Sequence, residues 1–232
     1  MPGMTYNPLG LSGDRDKTGT FRPAPKSQYI RFREAAKDGD VLDELIGLTL
    51  TSTGIRAAAM AHMTPSWWCN GPNERPHVEI PYGEVCTLGS GNGSGGDTNP
   101  TGVPCFHCRN RAEKYWAPAG ADFTPKSEAG VRPIPVRDDD TIHILNSYFD
   151  LYENVAAQGT ITNRVKSIAE RAGFERRVVA HDLRDTYGTL LAKKDFGPHK
   201  IKALMGHANL EEAIKYIKFA GEDVQDEYDD KW

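Results

Sequence analysis

Several side chains that could act on a charged substrate lie in the last third of the chain, between His181 and Tyr216. His181 and Arg184 are three residues apart, so on a helix an imidazole and a guanidinium would point from one face at a shared ligand. Gly206 is suited to ending a helix, which places His207 at a helix junction and Tyr216 about two turns beyond it. A phenol becomes a nucleophile only when a neighbouring group accepts its proton, and a histidine could do so.

The order and spacing of these residues resemble those of the tyrosine recombinase, or phage-type integrase, family. Its signature is His-x-x-Arg, then Leu-Gly-His, then a tyrosine nine positions after that histidine; here the three parts begin at His181, Met205 and Tyr216. Upstream, the Thr-Gly-Ile-Arg sequence that ends at Arg56 resembles the box that carries the family's first arginine, and Lys126 lies in a segment similar to the family's lysine-bearing hairpin. The resemblance covers about residues 28–219 and implies the catalytic-domain fold of these enzymes.

The resemblance implies a role for each residue in breaking and rejoining DNA. Arg56 and Arg184 would bind the non-bridging oxygens of the phosphate, to which a planar guanidinium offers paired donors. Tyr216 would attack the phosphorus, with His181 accepting its proton and His207 hydrogen-bonding at the phosphate. The product would be a 3′-phosphotyrosyl link that conserves the energy of the broken bond.

The same resemblance implies that Lys126 protonates the leaving 5′ oxygen. No ATP, cofactor or metal is expected for this chemistry. The partner would be a double-stranded DNA attachment or recombination site, bound by a homo-oligomer, which is a tetramer in this family. The expected location is the cytoplasm, in association with the nucleoid.

Each of these residues has a simpler interpretation when it is taken alone. Tyr216 has helical spacing from Ala213 and Ile217 and could be a core aromatic. His181 could be a structural histidine and Lys126 a solvated surface charge. The joint order and spacing favour the enzyme. Type IB topoisomerases share the chemistry, but the spacing of the last two motifs favours a recombinase, and a non-catalytic DNA-binding remnant is the alternative from another class.

Two departures from the family pattern bear on this prediction. The family usually has an acidic residue three places after its first arginine, where this chain has Ala59. Most members also carry an N-terminal core-binding domain that closes a clamp around DNA, and the sequence before Ser27 offers no room for one. We therefore expect weak independent binding to DNA.

The chain has four cysteines, and all lie in one segment: Cys69, Cys86, Cys105 and Cys108. The last two form a Cys-x-x-Cys knuckle, and the four together could make a tetrahedral structural zinc site, with His107 or His77 as a substitute ligand. Disulfides are the less expected use in a cytoplasmic protein, and four ordinary thiols are the alternative. This cysteine-bearing insertion is similar to those of archaeal-type integrases.

The patterning predicts a mostly helical α+β fold, with a leader at residues 1–26, a catalytic domain at 27–219, a Cys-rich insertion at 65–120 and an acidic tail at 220–232. Apolar periodicity predicts helices from a cap at Ser27 to Lys37, over 41–48, over Arg56–His62, and over 139–154, 160–172, 182–194, 198–206 and 209–218. Residues 122–125 and 131–136 are predicted to form a hairpin, whose second arm is an edge strand because of its prolines.

The overall charge neither supports nor excludes a nucleic-acid partner. The formal net charge is −4, yet residues 161–218 hold twelve Lys and Arg against seven Asp and Glu. This local surplus is compatible with phosphate contacts, although a solvated helical surface explains it equally well. No apolar run approaches the roughly 20 residues of a membrane span, and the N-terminus lacks a secretory pattern.

Overall fold

The computed structural model describes residues 21, 23–71, 73–86, 88–89, 104–115 and 122–229, although not the side chains of 111–115 and 222–229. The helices are, in chain order, α1 (Lys26–Lys37), α2 (Val41–Thr53), α3 (Ala57–Ala61), α4 (Phe106–Tyr115), α5 (Asp139–Phe149), α6 (Gln158–Arg171), α7 (Ala180–Lys193), α8 (Pro198–Met205) and α9 (Glu211–Asp229). The strands are β1 (Trp68–Cys69), β2 (His77–Ile80) and β3 (Arg132–Pro135). Most of the predicted leader, most of the glycine-rich part of the insertion and the last residues of the tail lie outside the described residues.

The helix α2 lies at the centre of the helical part because its sequence is apolar on nearly every side. Leu45, Ile46 and Leu48 are fully buried, and α2 packs against α1, α5, α6 and α7. A helix that is apolar all round is stable only when it is enclosed. Its central position carries Gly54 and Arg56, which follow its last turn, into the middle of the domain.

The three strands form one antiparallel sheet in the order β1, β2, β3. Val78 of β2 pairs with Ile134 of β3, and both side chains are buried against the core. Within this sheet β3 is an edge strand, as its prolines predict, because Pro133 and Pro135 have no N–H to offer a further neighbour.

The predicted hairpin between residues 122–125 and 131–136 is wrong. The partner of β3 is β2, more than fifty residues upstream, and Phe123 instead makes an isolated bridge with Glu84. The turn signal between the two segments forms a short 3-10 turn, Glu128–Gly130. Local turn residues gave no information about the distant strand that supplies the buried apolar face.

Helix ends differ from the predictions where local signals are ambiguous. The helix α1 begins at Lys26 after Pro25, so Ser27 lies within the first turn and does not cap it. The helix α9 continues to Asp229 and includes most of the residues predicted as an acidic tail. None of the described helices is long and apolar enough to cross a membrane.

Candidate active site and metal centre

Arg184 is held in place by the ends of two helices. It lies on α7 and is 2% exposed. Its Nη1 donates to the carbonyl oxygen of Gly54 and its Nη2 to that of Met205, at the C-terminal ends of α2 and α8. Carbonyls at helix C-termini lack a partner within the helix, so a buried guanidinium satisfies both. Gly54 and Gly206 adopt left-handed φ values of 59° and 62°, which end the two helices at these points.

Two further arginines approach the same turn. Arg56 donates from Nη2 to the Gly206 carbonyl oxygen at 3.3 Å. Arg132, the first residue of β3, donates from Nε to the Leu204 carbonyl at 2.9 Å and from Nη1 to the Gly130 carbonyl at 3.0 Å. A Cβ atom on Gly206 would lie 2.3 Å from Arg132 Nη1 and 2.7 Å from the Ala129 carbonyl oxygen. Any side chain at position 206 would therefore push against the arginine and the backbone beside it. Arg132 lies in the segment 131–136, which was predicted as a hairpin arm without a catalytic role.

Among the described residues no salt bridge joins these three guanidinium groups to a carboxylate, although Asp185 and Glu212 lie near enough to oppose the lowering of the pKa of Arg184 and of Arg56. Burial, together with the neighbouring Arg56 and Arg132, lowers the pKa of Arg184 to about 9. Burial and Arg56 lower the pKa of Arg132 to about 10, and burial lowers the pKa of Arg56, which Glu212 opposes. Like charges that lower one another's pKa create a region of positive potential that an oxyanion would relieve.

His207 and Tyr216 lie side by side at this cluster. Their rings stack with centroids 5.7 Å apart and an interplanar angle of 11°. His207 is only 3% exposed. Burial, followed by Arg184 and Arg56, lowers its pKa to about 3, so its imidazole is neutral at pH 7. The nearest acid is Glu212, whose Oε2 is 3.7 Å from His207 Nε2.

The hydroxyl of Tyr216 points at a carboxylate. Its Oη donates to Asp185 Oδ1 at 2.9 Å, and the side chain is 1% exposed. Burial and Asp185 together raise the pKa of Tyr216 above its ordinary value. His181, the predicted proton acceptor, has Nε2 at 3.8 Å from Asp185 Oδ2. In this structure the group that touches the phenol is therefore Asp185, which had no predicted role; its one signal in the sequence is its position as an acid beside Arg184.

Lys126 lies at the rim of the site. It is exposed, in the loop before the 3-10 turn, and it lines a cavity of about 130 Å³ together with Arg56 and Arg132. The six predicted catalytic residues thus gather in one region, with four buried or partly buried side chains in the middle and Lys126 and His181 at the edge.

A second cluster, of metal-ligand type, lies at the far side of that cavity. Ligand atoms of His62, Cys86, Cys105 and Cys108 lie within 4.8 Å of one another. His62 Nε2 is 3.2 Å from Cys86 Sγ, 3.7 Å from Cys105 Sγ and 3.3 Å from Cys108 Sγ. Hydrogen bonds from Cys105 and, to a smaller extent, from Cys108 hold the pKa of the Cys86 thiol well below its ordinary value.

The geometry of this group fits a tetrahedral zinc ion. With ordinary Zn–S and Zn–N bonds, a tetrahedral site has edges of about 3.6 Å between nitrogen and sulfur and about 3.8 Å between two sulfurs. The opposite ring nitrogen, Nδ1 of His62, lies 2.6 Å from the Ala58 carbonyl oxygen. Since a carbonyl can only accept, Nδ1 carries the proton and the lone pair of Nε2 faces the thiols, as in a metal-binding histidine.

The ligand set differs from the predicted four cysteines at one position, where His62 stands in place of Cys69. Cys69 is on β1, and pairing with β2 sets it opposite His77 and outside this group. His107, the other predicted substitute, is exposed on α4 and is also outside the group. His62 ends the helix that follows Arg56, and its sequence has no ligand spacing that would have revealed it.

Solved structures show which class of protein has this fold. The XerA recombinase matches with a TM-score of 0.59 and 17% identity over 96% of this chain and 69% of that one. The XerH recombinase, solved with a palindromic difH substrate in a post-cleavage complex, matches with a TM-score of 0.59 and 15% identity over 92% of this chain and 55% of that one. The Tn1549 transposon integrase with transposon right-end DNA matches with a TM-score of 0.57 and 14% identity over 93% and 68%. The fold is that of the tyrosine recombinase catalytic domain.

Part of the sequence matches one family model. Residues 152–222, which include α6, α7 and α8, match the model of the phage integrase family. That segment contains four of the six predicted catalytic residues. No curated protein sequence matches the chain significantly.

Proposed function

We propose that this chain is a site-specific DNA recombinase that cuts and rejoins DNA strands through a covalent link between Tyr216 and a 3′ phosphate. The observation that carries this proposal is the convergence of Arg56, Arg132 and Arg184 on the turn that precedes His207. Three guanidinium groups that share no salt bridge among the described residues make little sense as core packing beside a tyrosine, because burying charge without a paired counter-ion is costly. They make sense as a binding site for a phosphodiester.

In this mechanism the arginines bind the non-bridging oxygens and stabilise the charge that grows on them in the transition state. Tyr216 passes its proton to His181, the predicted base, and attacks the phosphorus as the bond to the 5′ oxygen breaks. Lys126 protonates that oxygen as it leaves. Neutral His207 donates one hydrogen bond to the phosphate without adding charge. Rejoining is the same step in reverse, with a 5′ hydroxyl as the nucleophile.

The partner in this proposal is double-stranded DNA at an attachment or recombination site, bound by a tetramer of this chain in the cytoplasm. Two of the similar proteins were solved as complexes: the XerH site-specific recombinase with a difH substrate, and the Tn1549 transposon integrase with transposon right-end DNA. The three similar proteins are longer than this chain.

A non-catalytic DNA-binding protein of the same fold is the second candidate. The observation that favours it is the placement of the Tyr216 hydroxyl on Asp185 rather than on a guanidinium group. A protein that only binds DNA would keep the arginines and would form no covalent product.

The two candidates differ in one product. The protein is incubated with nicked DNA that carries candidate attachment sequences and loses a short strand after cleavage, and the mixture is run on a denaturing gel. We expect a covalent adduct with the native chain and none with Tyr216→Phe. Retained DNA binding without an adduct at any sequence would favour the non-catalytic candidate.

We also propose that His62, Cys86, Cys105 and Cys108 hold a structural zinc ion. Bound there, the ion would tie the end of α3 to the start of α4 and to the loop after β2, a segment with little core of its own. No step of the DNA chemistry runs through it.

Zinc content of the purified protein tests this site. We expect about one zinc per chain for the native sequence and for the control Cys69→Ser, and a loss of most of it in Cys105→Ser. Replacement by Co²⁺ should give the visible absorption of a tetrahedral thiolate complex. Less than about half a zinc per chain, or equal loss in the two variants, would argue against this ligand set.

A further inference from the structure

Asp185 is a buried carboxylate with an incomplete set of partners. It lies on α7 and is fully buried. Its Oδ1 accepts from the Tyr216 hydroxyl, whereas its Oδ2 has no hydrogen bond among the described residues. The facing charged groups are His181 on its own helix and Lys215 on α9, each 3.8 Å away, with Asp182 adding a repulsion. A buried carboxylate with one unsatisfied oxygen is costly, so its single hydrogen bond, to the Tyr216 hydroxyl, calls for an explanation.

The ring of Tyr216 is enclosed on several sides as well. Lys215 Nζ lies 5.0 Å from the ring centroid, and the Phe21 ring meets it edge-on at 5.4 Å. On the side of α7 the ring lies directly over Gly188, where an added Cβ would be 2.7 to 2.9 Å from three ring carbons. Any larger residue at 188 would therefore push the ring out of this pocket.

A tyrosine in this place is poorly prepared to attack a phosphate. Its proton is held by a carboxylate in the protein interior, and the phenol is neutral. A phosphate group that binds the arginines would come close to His207, whose ring stacks on that of Tyr216. The Asp185 carboxylate and the DNA phosphate then compete for the Tyr216 hydroxyl. Only contact with the phosphate places the phenol oxygen for attack.

We propose that Asp185 is a positioning residue, which holds Tyr216 retracted over Gly188 until a DNA phosphate occupies the arginine cluster and draws the phenol away. The proposal rests on the recombinase function above. It accounts for the buried nucleophile without assigning the chain to the non-catalytic class. The competent state is a minor one in the free protein, so part of the binding energy of DNA is used to reach it.

Chemical modification of tyrosine tests the hold without any DNA. The protein is treated with tetranitromethane, and nitration of each tyrosine is followed by mass spectrometry. Tyr82, which is 71% exposed, reports full reactivity, and Tyr148, which is 1% exposed and bonded to two backbone carbonyls, reports full protection. Asp185→Asn keeps the shape but loses the charge, and a hydrogen bond to a charged group is about twice as strong as a neutral one. We expect Tyr216 nitration to rise about fivefold in this variant.

Gly188→Ala displaces the ring while it leaves Asp185 intact, so it is the independent second variant. We expect a similar or larger rise in Tyr216 nitration there, with Tyr148 still protected as proof that the fold persists. If Tyr216 is as reactive as Tyr82 in the native protein, or stays protected in both variants, the proposal is wrong.

Cleavage rates separate a hold from a direct part in the reaction. The substrate is DNA with a sulfur in place of the 5′ oxygen, a leaving group that needs no acid. We expect Asp185→Asn to reach its half-maximal rate at a several-fold lower DNA concentration than the native chain. The maximal rate should be the same for both. A maximal rate that falls about a hundredfold would instead make Asp185 the general base and overturn the proposal. If nitration rises as expected but no chain, native or variant, forms an adduct, the hold is supported and the recombinase function fails.

Discussion

Arg132 joins two parts of the site that are far apart in the sequence. Through Gly130 it contacts the loop that carries Lys126, and through Leu204 it contacts the end of α8, two residues before the Gly206 turn. Its Nη2 is buried and has no hydrogen-bond partner in the part of the chain that the structure describes. A guanidinium with one free donor at the edge of the phosphate site is well placed to bind one of its oxygens.

We predict that Arg132→Met lowers the rate of DNA cleavage about a hundredfold, because one preorganised donor to the transition state is lost. Arg132→Lys should restore little, since an ammonium group cannot reach both carbonyls and the phosphate. The rate of adduct formation under single-turnover conditions measures this. Arg137→Met, which changes an exposed arginine on the next segment, is the control and should cleave normally. Equal rates for Arg132→Met and the control would remove Arg132 from the site.

His207 makes the stability of the protein depend on pH in a definite direction. Its pKa is about 3 in the folded protein and about 6.5 in an unfolded chain. Between these values the unfolded chain binds a proton that the folded one does not, so stability falls as pH falls below about 6.5. We predict a loss of about 1.4 kcal/mol from this residue between pH 7.5 and 5.5.

Urea unfolding at the two pH values, in the native chain and in His207→Gln, measures that contribution as a difference. The loss on acidification should be smaller in the variant by about 1.4 kcal/mol. The exposed His143, changed to Gln, is the control and should leave the pH dependence of the native chain in place. The same loss in all three proteins would contradict the assignment.

At the scale of elements, α2 and α6 are joined by a buried charge. The carboxylate of Asp43 on α2 accepts from Arg164 at 3.0 Å and from Arg171 at 2.7 Å, and its side chain is 4% exposed. Arg164 and Arg171 belong to residues 161–218, the segment whose surplus of positive charge is compatible with phosphate contacts. Part of that surplus therefore belongs to the packing of helices and not to a DNA surface.

We predict that Asp43→Asn lowers the free energy of unfolding by about 2 kcal/mol, because two partly exposed arginines lose charge-assisted hydrogen bonds to one buried carboxylate. Asp40→Asn is the matched control, since Asp40 pairs with Arg164 at the surface and caps α2. Asparagine caps nearly as well, so the control should lose less than about 1 kcal/mol. Chemical denaturation measures the free energy of unfolding of both variants. Similar losses would mean that the buried carboxylate of Asp43 adds no more stability than the exposed one of Asp40.

The elements also show how far the sequence could be used. Helices such as α6, α7 and α8 were predicted to within a few residues, because their apolar periodicity is local information. The pairing of β3 with β2, and His62 as a ligand in place of Cys69, depend on which distant segments meet, and no local pattern carries that. The catalytic residues were predicted through a family resemblance, whereas Asp185 and Arg132 gained roles only from their contacts.

At the scale of the whole molecule, the arginine cluster is assembled from three segments that are brought together only in the folded state. Arg56 follows α2, Arg132 begins β3 and Arg184 lies on α7. Their burial, together with their mutual repulsion, opposes folding, as the lowered pKa values of Arg132 and Arg184 indicate. An oxyanion bound between them would remove this repulsion in the folded protein and would bind the unfolded chain far more weakly.

We predict that inorganic phosphate or sulfate raises the unfolding temperature in a saturable way, by an amount that follows the linkage relation for a ligand of the folded state. At a hundred times the dissociation constant, the stabilisation is about 2.7 kcal/mol. Differential scanning calorimetry at constant ionic strength, with chloride as the reference anion, separates this binding from general screening. Arg56→Met and Arg132→Met should lose the effect, and Arg137→Met should keep it. If the anion stabilises all these proteins equally, it binds elsewhere, and the three arginines do not form a phosphate site.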